Sequence, residues 1–167
     1  ERNQMQNKKL LWTLSFLLLI LIFVAYAKHF DNEFHFDDAH TIQNNAHIQD
    51  LKNIPKFFTV GAETFSSLPE NQLYRPVVST TIAIDFWLSE QFYPEAWGFD
   101  THPYHWSMFL EYLILLVLLF FFVKKIFDKV VESDWNIWFA LFATAWYGLH
   151  TVNAETLNYI ISRSDLL

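Results

Sequence analysis

Three short stretches of this chain gather the residue types that do chemistry. The first is Phe34–His40, FHFDDAH, in which Asp37 and Asp38 are adjacent. In an extended segment neighbouring side chains point to opposite sides, so one carboxylate can act while the other orients it. A carboxylate beside another, near apolar surface, has its pKa raised, which suits a general base. An Asp ahead of Ala-His-Thr-Ile equally fits a helix N-cap, a purely structural use. The second stretch is Leu73-Tyr-Arg-Pro, with Arg75. A guanidinium holds a phosphate through two parallel N–H donors. Among so many acids, a simple salt bridge is the plainer use of Arg75. The third is His150–Leu167, HTVNAETLNYIISRSDLL. As a helix it would line up Glu155, Tyr159 and Arg163, with Glu155, Asn158 and Ser162 as an overlapping stripe. A self-contained Glu155–Arg163 pair on a solvated face is the alternative. His29, His35, His40 and His47 share one region. Zinc needs three or four convergent ligands, and this spacing is too loose to argue for it.

The elements that must position these residues read as membrane helices. Leu10–Ala27, LLWTLSFLLLILIFVAYA, carries no charge, and a spanning helix needs about 20 apolar residues. Trp12 and Tyr26 sit near its ends, where aromatic belts form. A signal peptide is the competing reading, but its apolar core is usually only about 7–15 residues. Trp106–Val123 is a second expected span, with Glu111 as its only charge, and Trp135–His150 a shorter third. Lys8 and Lys9, with Arg2, precede the first span; Lys124, Lys125 and Lys129 follow the second. The positive-inside rule then makes 1–9 and 124–134 cytoplasmic and puts 28–105 and 151–167 outside. The outer loop from His29 to His105 holds eleven acidic residues against Lys52, Lys56 and Arg75. Within it, Asp50–Phe58 reads as a short amphipathic helix interrupted by Pro55. Pro76–Tyr93 reads as an interfacial helix with Pro76 in its first turn. His102-Pro-Tyr-His105 reads as a turn leading into the second span.

Composition narrows the classes further. The chain has 167 residues, 53% of them hydrophobic, clustered in those runs. There is no cysteine, which excludes disulfide frameworks and thiolate metal sites. A net charge of −7 excludes the basic face of a nucleic-acid binder. The expected fold is therefore all-α: a polytopic membrane protein with about three transmembrane helices and a long extracytoplasmic loop carrying short interfacial helices. The chain ends inside an apparent helix, which suggests a fragment of a longer protein.

The order FDDAHTIQNN, LYRPV, HPYHWSMFLEYLI and HTVNAETLNYIISRSDLL resembles the amino-terminal part of the transmembrane and tetratricopeptide-repeat O-mannosyltransferases and their bacterial relatives, members of the GT-C superfamily. The four motifs cover most of the chain. The resemblance implies many transmembrane helices, an active site on the outer face, and further spans followed by tetratricopeptide repeats. It lays the family's acidic pair on Asp37 and Asp38. Its tyrosine-arginine-proline element falls on Tyr74, Arg75 and Pro76. Its carboxy-terminal run falls on His150, Val152, Glu155, Arg163 and Asp165. Two departures stand out. Thr151 replaces the expected proline, so the helix need not break there. The asparagine and histidine often found in the second span are replaced around Leu110–Leu113.

The implied chemistry is transfer of a sugar from a polyisoprenyl-phosphate donor to an acceptor hydroxyl on a protein or glycan. Asp37 or Asp38 would be the base. Arg75 and Arg163, supported by His150, would hold the donor phosphate. Glu155, Asp165 and Tyr74 would support them, and the acids leave a divalent cation open. A lone fragment would lack activity. Partners are the lipid-linked sugar, its acceptor and membrane lipid, with no nucleic acid. A bacterial cytoplasmic membrane is favoured over the endoplasmic reticulum. A non-catalytic membrane scaffold is the next reading, and a cation transporter or metal-binding membrane protein the third.

Overall fold

The computed structural model describes residues 2–167. Glu1 and the side chains of residues 2–4, Arg2 among them, lie outside the described residues. Every regular element among the described residues is helical. The chain divides into two compact units: Glu1–Lys28 with Leu113–Ala154, and His29–Tyr112 with Glu155–Leu167.

The first unit contains α1 (Arg2–Ala25), the later turns of a helix that begins at His102, and a 13-residue helix, Asn136–Gly148. From Leu10 onward helix α1 is apolar all round, and Trp12, Phe16 and Val24 are exposed. A helix without a polar face belongs in a membrane or a large core, and apolar exposure on this scale is at odds with water. Two stretches, Met5–Ala25 and His102–Val130, are long and apolar enough to cross a membrane. The expected second span is longer than Trp106–Val123. It starts four residues earlier and ends seven later, because Lys124 and Asp128 pair at 2.5 Å across one helical turn. Lys124, Lys125 and Lys129 therefore lie on helix rather than in the loop expected at 124–134.

The third expected span, 135–150, forms only Asn136–Gly148, about 20 Å long at 1.5 Å per residue. That is short of the ~30 Å hydrocarbon core, so among the described residues two helices reach spanning length, not three. Its start is tied by Asn136, whose Nδ2 donates to Asp128 Oδ1 (3.0 Å) and to the Val131 carbonyl (2.8 Å). Gly148 lets it pack closely. A Cβ there would lie 3.1 Å from Leu116 and 3.3 Å from Ile22. The chain leaves the helix after Gly148 although residue 151 is threonine. Asn153 Nδ2 donates to the Tyr147 carbonyl at 2.6 Å and closes the end.

The second unit is a small helical domain. Asp50 caps a 3-10 turn, Leu51–Asn53, by accepting the Lys52 N–H at 2.9 Å. Then come α2 (Ile54–Thr59), α3 (Gly61–Thr64), α4 (Pro76–Phe92), α5 (His102–Val130), α6 (Asn136–Gly148, in the first unit) and α7 (Asn153–Asn158). Pro55 does not interrupt a helix. It occupies the first turn of α2, where its missing N–H has no partner to lose. Pro76 does the same for α4.

Val78, Ile82, Asp85, Phe86 and Ser89 of α4 are buried at helical spacing. They pack with Phe57, Phe65, Tyr104, Met108, Ile160 and others into the domain's core. Helix α4 thus spends one face on protein, while Val77, Ile84 and Trp87 remain exposed. His102–His105 is the first turn of α5, not a separate turn before it. The loop after α1 is stitched to that turn. His29 Nε2 donates to the His105 carbonyl, His105 Nε2 to the Asn32 carbonyl (both 2.9 Å), and Thr101 Oγ1 to the same Asn32 carbonyl (2.9 Å). These bonds set where residues 33–38 begin.

Candidate functional site

The two adjacent aspartates part company at a strained backbone. Phe36 adopts φ +46°, a left-handed conformation unusual for a bulky residue, with its ring edge-on to Tyr159 at 6.0 Å. A one-turn π-helical segment, Ala39–Gln43, follows. Asp38 turns inward and is fully buried. It does not cap that segment; its oxygens accept the His35 N–H and, 123 residues away, the Ile161 N–H, both at 3.0 Å. Burial outweighs these donors and pushes its carboxyl up to about 6. Asp37 turns outward, with its side chain 62% exposed. Its own N–H donates to the Tyr159 hydroxyl at 2.9 Å. Partial burial pushes that phenol up to about 12, with Asp37 and Asp38 beside it, so the hydroxyl stays protonated.

Asp37 opens onto a cavity of about 420 Å³ that Arg75, Asp165, Glu70, Asn71 and His40 also line. Among the described residues Arg75 has no carboxylate partner, and its guanidinium lies over the Phe65 ring at 5.7 Å. The salt bridge weighed for it does not form. Tyr74 braces this position from outside: its hydroxyl donates to the Phe58 carbonyl at 3.0 Å. His40 is fixed at both ring nitrogens. Nδ1 lies 2.9 Å from Ser66 Oγ, and Nε2 lies 3.0 Å from Asn71 Nδ2 and 3.4 Å from Asp37 Oδ1.

The last segment departs from the expected helix. Helix α7 stops at Asn158, Tyr159 is extended (φ −115°, ψ 111°), and a 3-10 helix runs Ile160–Asp165. The break destroys the stripe expected to join Glu155, Tyr159 and Arg163. Glu155 stays exposed on α7. With about three residues per turn, Ile160 and Arg163 point inward and are fully buried. Ile161, Ser162, Ser164 and Asp165 line the cavity.

Arg163 is thus not available to a phosphate. Its Nη2 pairs with Asp85 Oδ2 at 2.6 Å, and its Nε lies 3.7 Å from Glu111 Oε2. Nor does it pair with Glu155. His150 belongs to the other unit, where it is exposed and its Nδ1 accepts the Val152 N–H at 3.1 Å. Among the described residues no group of three His, Asp or Glu side chains converges to hold a metal ion, the histidines of 29–47 included.

The expected residues that meet at the cavity are therefore Asp37, Arg75 and Asp165, with Asp38 beneath. His40, Asn71 and Glu70 were missed as cavity residues, although His40 lies inside the FDDAH string. Asp85 and Glu111 carried a legible signal, since a carboxylate in an apolar run is costly unless paired or functional.

No family model and no solved structure matches the chain. Over 146 residues, 86% of its length, it is 26% identical to the mouse (Mus musculus) protein O-mannosyl-transferase TMTC4, of which it spans about a fifth (20%).

Proposed function

We propose that this chain carries part of the active site of a membrane-embedded glycosyltransferase that moves a sugar from a polyisoprenyl-phosphate donor to an acceptor hydroxyl. The single observation that supports this reading best is the cavity shared by Asp37, Arg75 and Asp165, three positions that sequence motifs far apart had singled out. The similarity to a protein O-mannosyl-transferase gives the reading its reaction class.

Asp37 is the general base. It is the exposed member of the acidic pair and faces the cavity. It takes the acceptor proton as the hydroxyl oxygen bonds to the anomeric carbon and the bond from that carbon to the phosphate oxygen breaks. Arg75 meets the charge that develops on the departing lipid phosphate, because its guanidinium has no carboxylate already holding it. Asp38 is too enclosed to reach an acceptor; it fixes the backbone that aims Asp37. Asp165 accepts hydroxyl groups of the sugar or acceptor. The cavity belongs on the extracytoplasmic side, which is the outer face of a bacterial cytoplasmic membrane and the lumenal face of the endoplasmic reticulum alike.

The test is transfer of a labelled hexose from a polyprenyl-phosphate donor to a hydroxyl-bearing peptide, by membranes containing the full-length protein. Transfer that disappears in Arg75→Ala, at equal protein level, supports the assignment. No transfer from any hexose donor by well-folded protein contradicts it.

A further inference from the structure

We propose that Asp85, on α4, is a positioning residue of the cavity, acting through Arg163 on the 3-10 helix Ile160–Asp165. The kinetic part of this proposal rests on the sugar-transfer reading; the structural part stands without it. Arg163 and Asp85 are both almost fully buried, as is the pair they form. Arg163 Nη2 reaches three acceptors on two other helices: Asp85 Oδ2 at 2.6 Å, Ser107 Oγ at 2.9 Å and the Tyr104 carbonyl at 3.2 Å. Ser107 Oγ in turn donates to Asp85 Oδ2 at 2.6 Å. Glu111 offers a second carboxylate near Nε. Nη2 alone ties the segment to α4 and α5; the buried Nε and Nη1 have no hydrogen-bond partner.

That tie matters because of what the same short segment carries. In a 3-10 helix the residues flanking Arg163 face about 120° away from it. Ser162, Ser164 and Asp165 line the cavity, while Ile161 N–H holds Asp38 Oδ1 at 3.0 Å. Rotating the segment by a fraction of a turn would withdraw the cavity wall and release Asp38 together. An apolar pair of similar volume stabilises a core as well as a buried ion pair does. What it lacks is the directional bond that fixes the rotation of a short helix.

The experiment uses the full-length protein and three variants: Asp85→Asn, the milder Ser107→Ala, and the double variant Asp85→Leu with Arg163→Met. Amide hydrogen exchange of residues 160–166 and steady-state transfer kinetics are both read. Asp85→Asn should speed exchange there tenfold or more and Ser107→Ala by less, with α1 and α6 unchanged. Turnover should fall in the same order while donor KM holds. The double variant should regain thermal stability but neither slow exchange nor turnover. Unchanged exchange in both single variants overturns the proposal. So does faster exchange at full kcat, or recovery of exchange and kcat in the double variant. Should Asp85→Asn fail to fold, Ser107→Ala decides by the same readings. Absence of transfer in the parent protein counts against the proposed function alone, and the exchange measurement still decides the tie.

Discussion

Replacing Asp38 by asparagine removes a titration buried between the His35 and Ile161 amides, and its size follows from the structure. The Asp38 carboxyl is raised from 3.8 to about 6 by burial, against the pull of its two N–H donors. That rise corresponds to about 3 kcal/mol. The folded state holds this proton more tightly than the unfolded chain does. Between about pH 4 and pH 6 the native state therefore binds more protons, and stability falls as pH rises through that window, then levels off. The Asp38→Asn variant has no such titration. The stability difference between the two proteins should drift by about 2.4 kcal/mol from pH 4 to pH 7, in favour of the parent at the acid end. For a chain of this size that is a drift of about 5–10 °C in the difference between their Tm values. Thermal unfolding in detergent across that range measures it. A difference that does not change with pH would refute the buried character assigned to Asp38.

Three further outcomes follow from single residues. Gly98→Ala should cost about 2 kcal/mol or more. Gly98 sits at φ +83°, and a Cβ there would run into the Phe86 ring; thermal unfolding checks it. Gly148→Leu should cost about 1–3 kcal/mol by forcing α6 off Leu116 and Ile22, seen as a lower Tm or a loss of expressed protein. Arg75→Ala should lower turnover about 100-fold or more, about 2.7 kcal/mol, with little change in Tm, because the guanidinium lies over the Phe65 ring and, among the described residues, no carboxylate holds it.

What the sequence revealed depended on how local the physics was. Helix α1 and the long α5 were legible because apolar runs of that length have few other uses. Pro76 marked a first turn because its missing N–H is tolerated there; Pro55 was read as an interruption, although it opens α2 for the same reason. Asp37 and Arg75 stood out as candidates by residue type, and their meeting at one cavity joins segments that no periodicity connects. Residues 153–165 misled because i, i+4 spacing assumes one continuous α-helix. The extended Tyr159 and the three-residue period after it turned Arg163 inward, away from the role its charge suggested. Its partner Asp85 lies far upstream on α4, chosen by the tertiary core. The extension of α5 through Lys124–Val130 came from an ion pair and lysine helix propensity, which an apolar-run criterion does not count.

The division of labour between the two adjacent aspartates is most directly tested by Asp37→Asn in the full-length protein, with turnover and Tm measured together. The account predicts a loss of turnover of about 100-fold or more at an unchanged Tm, since the Asp37 side chain is 62% exposed and supports no core contact. Full turnover in that variant would contradict the assignment of this cavity to sugar transfer.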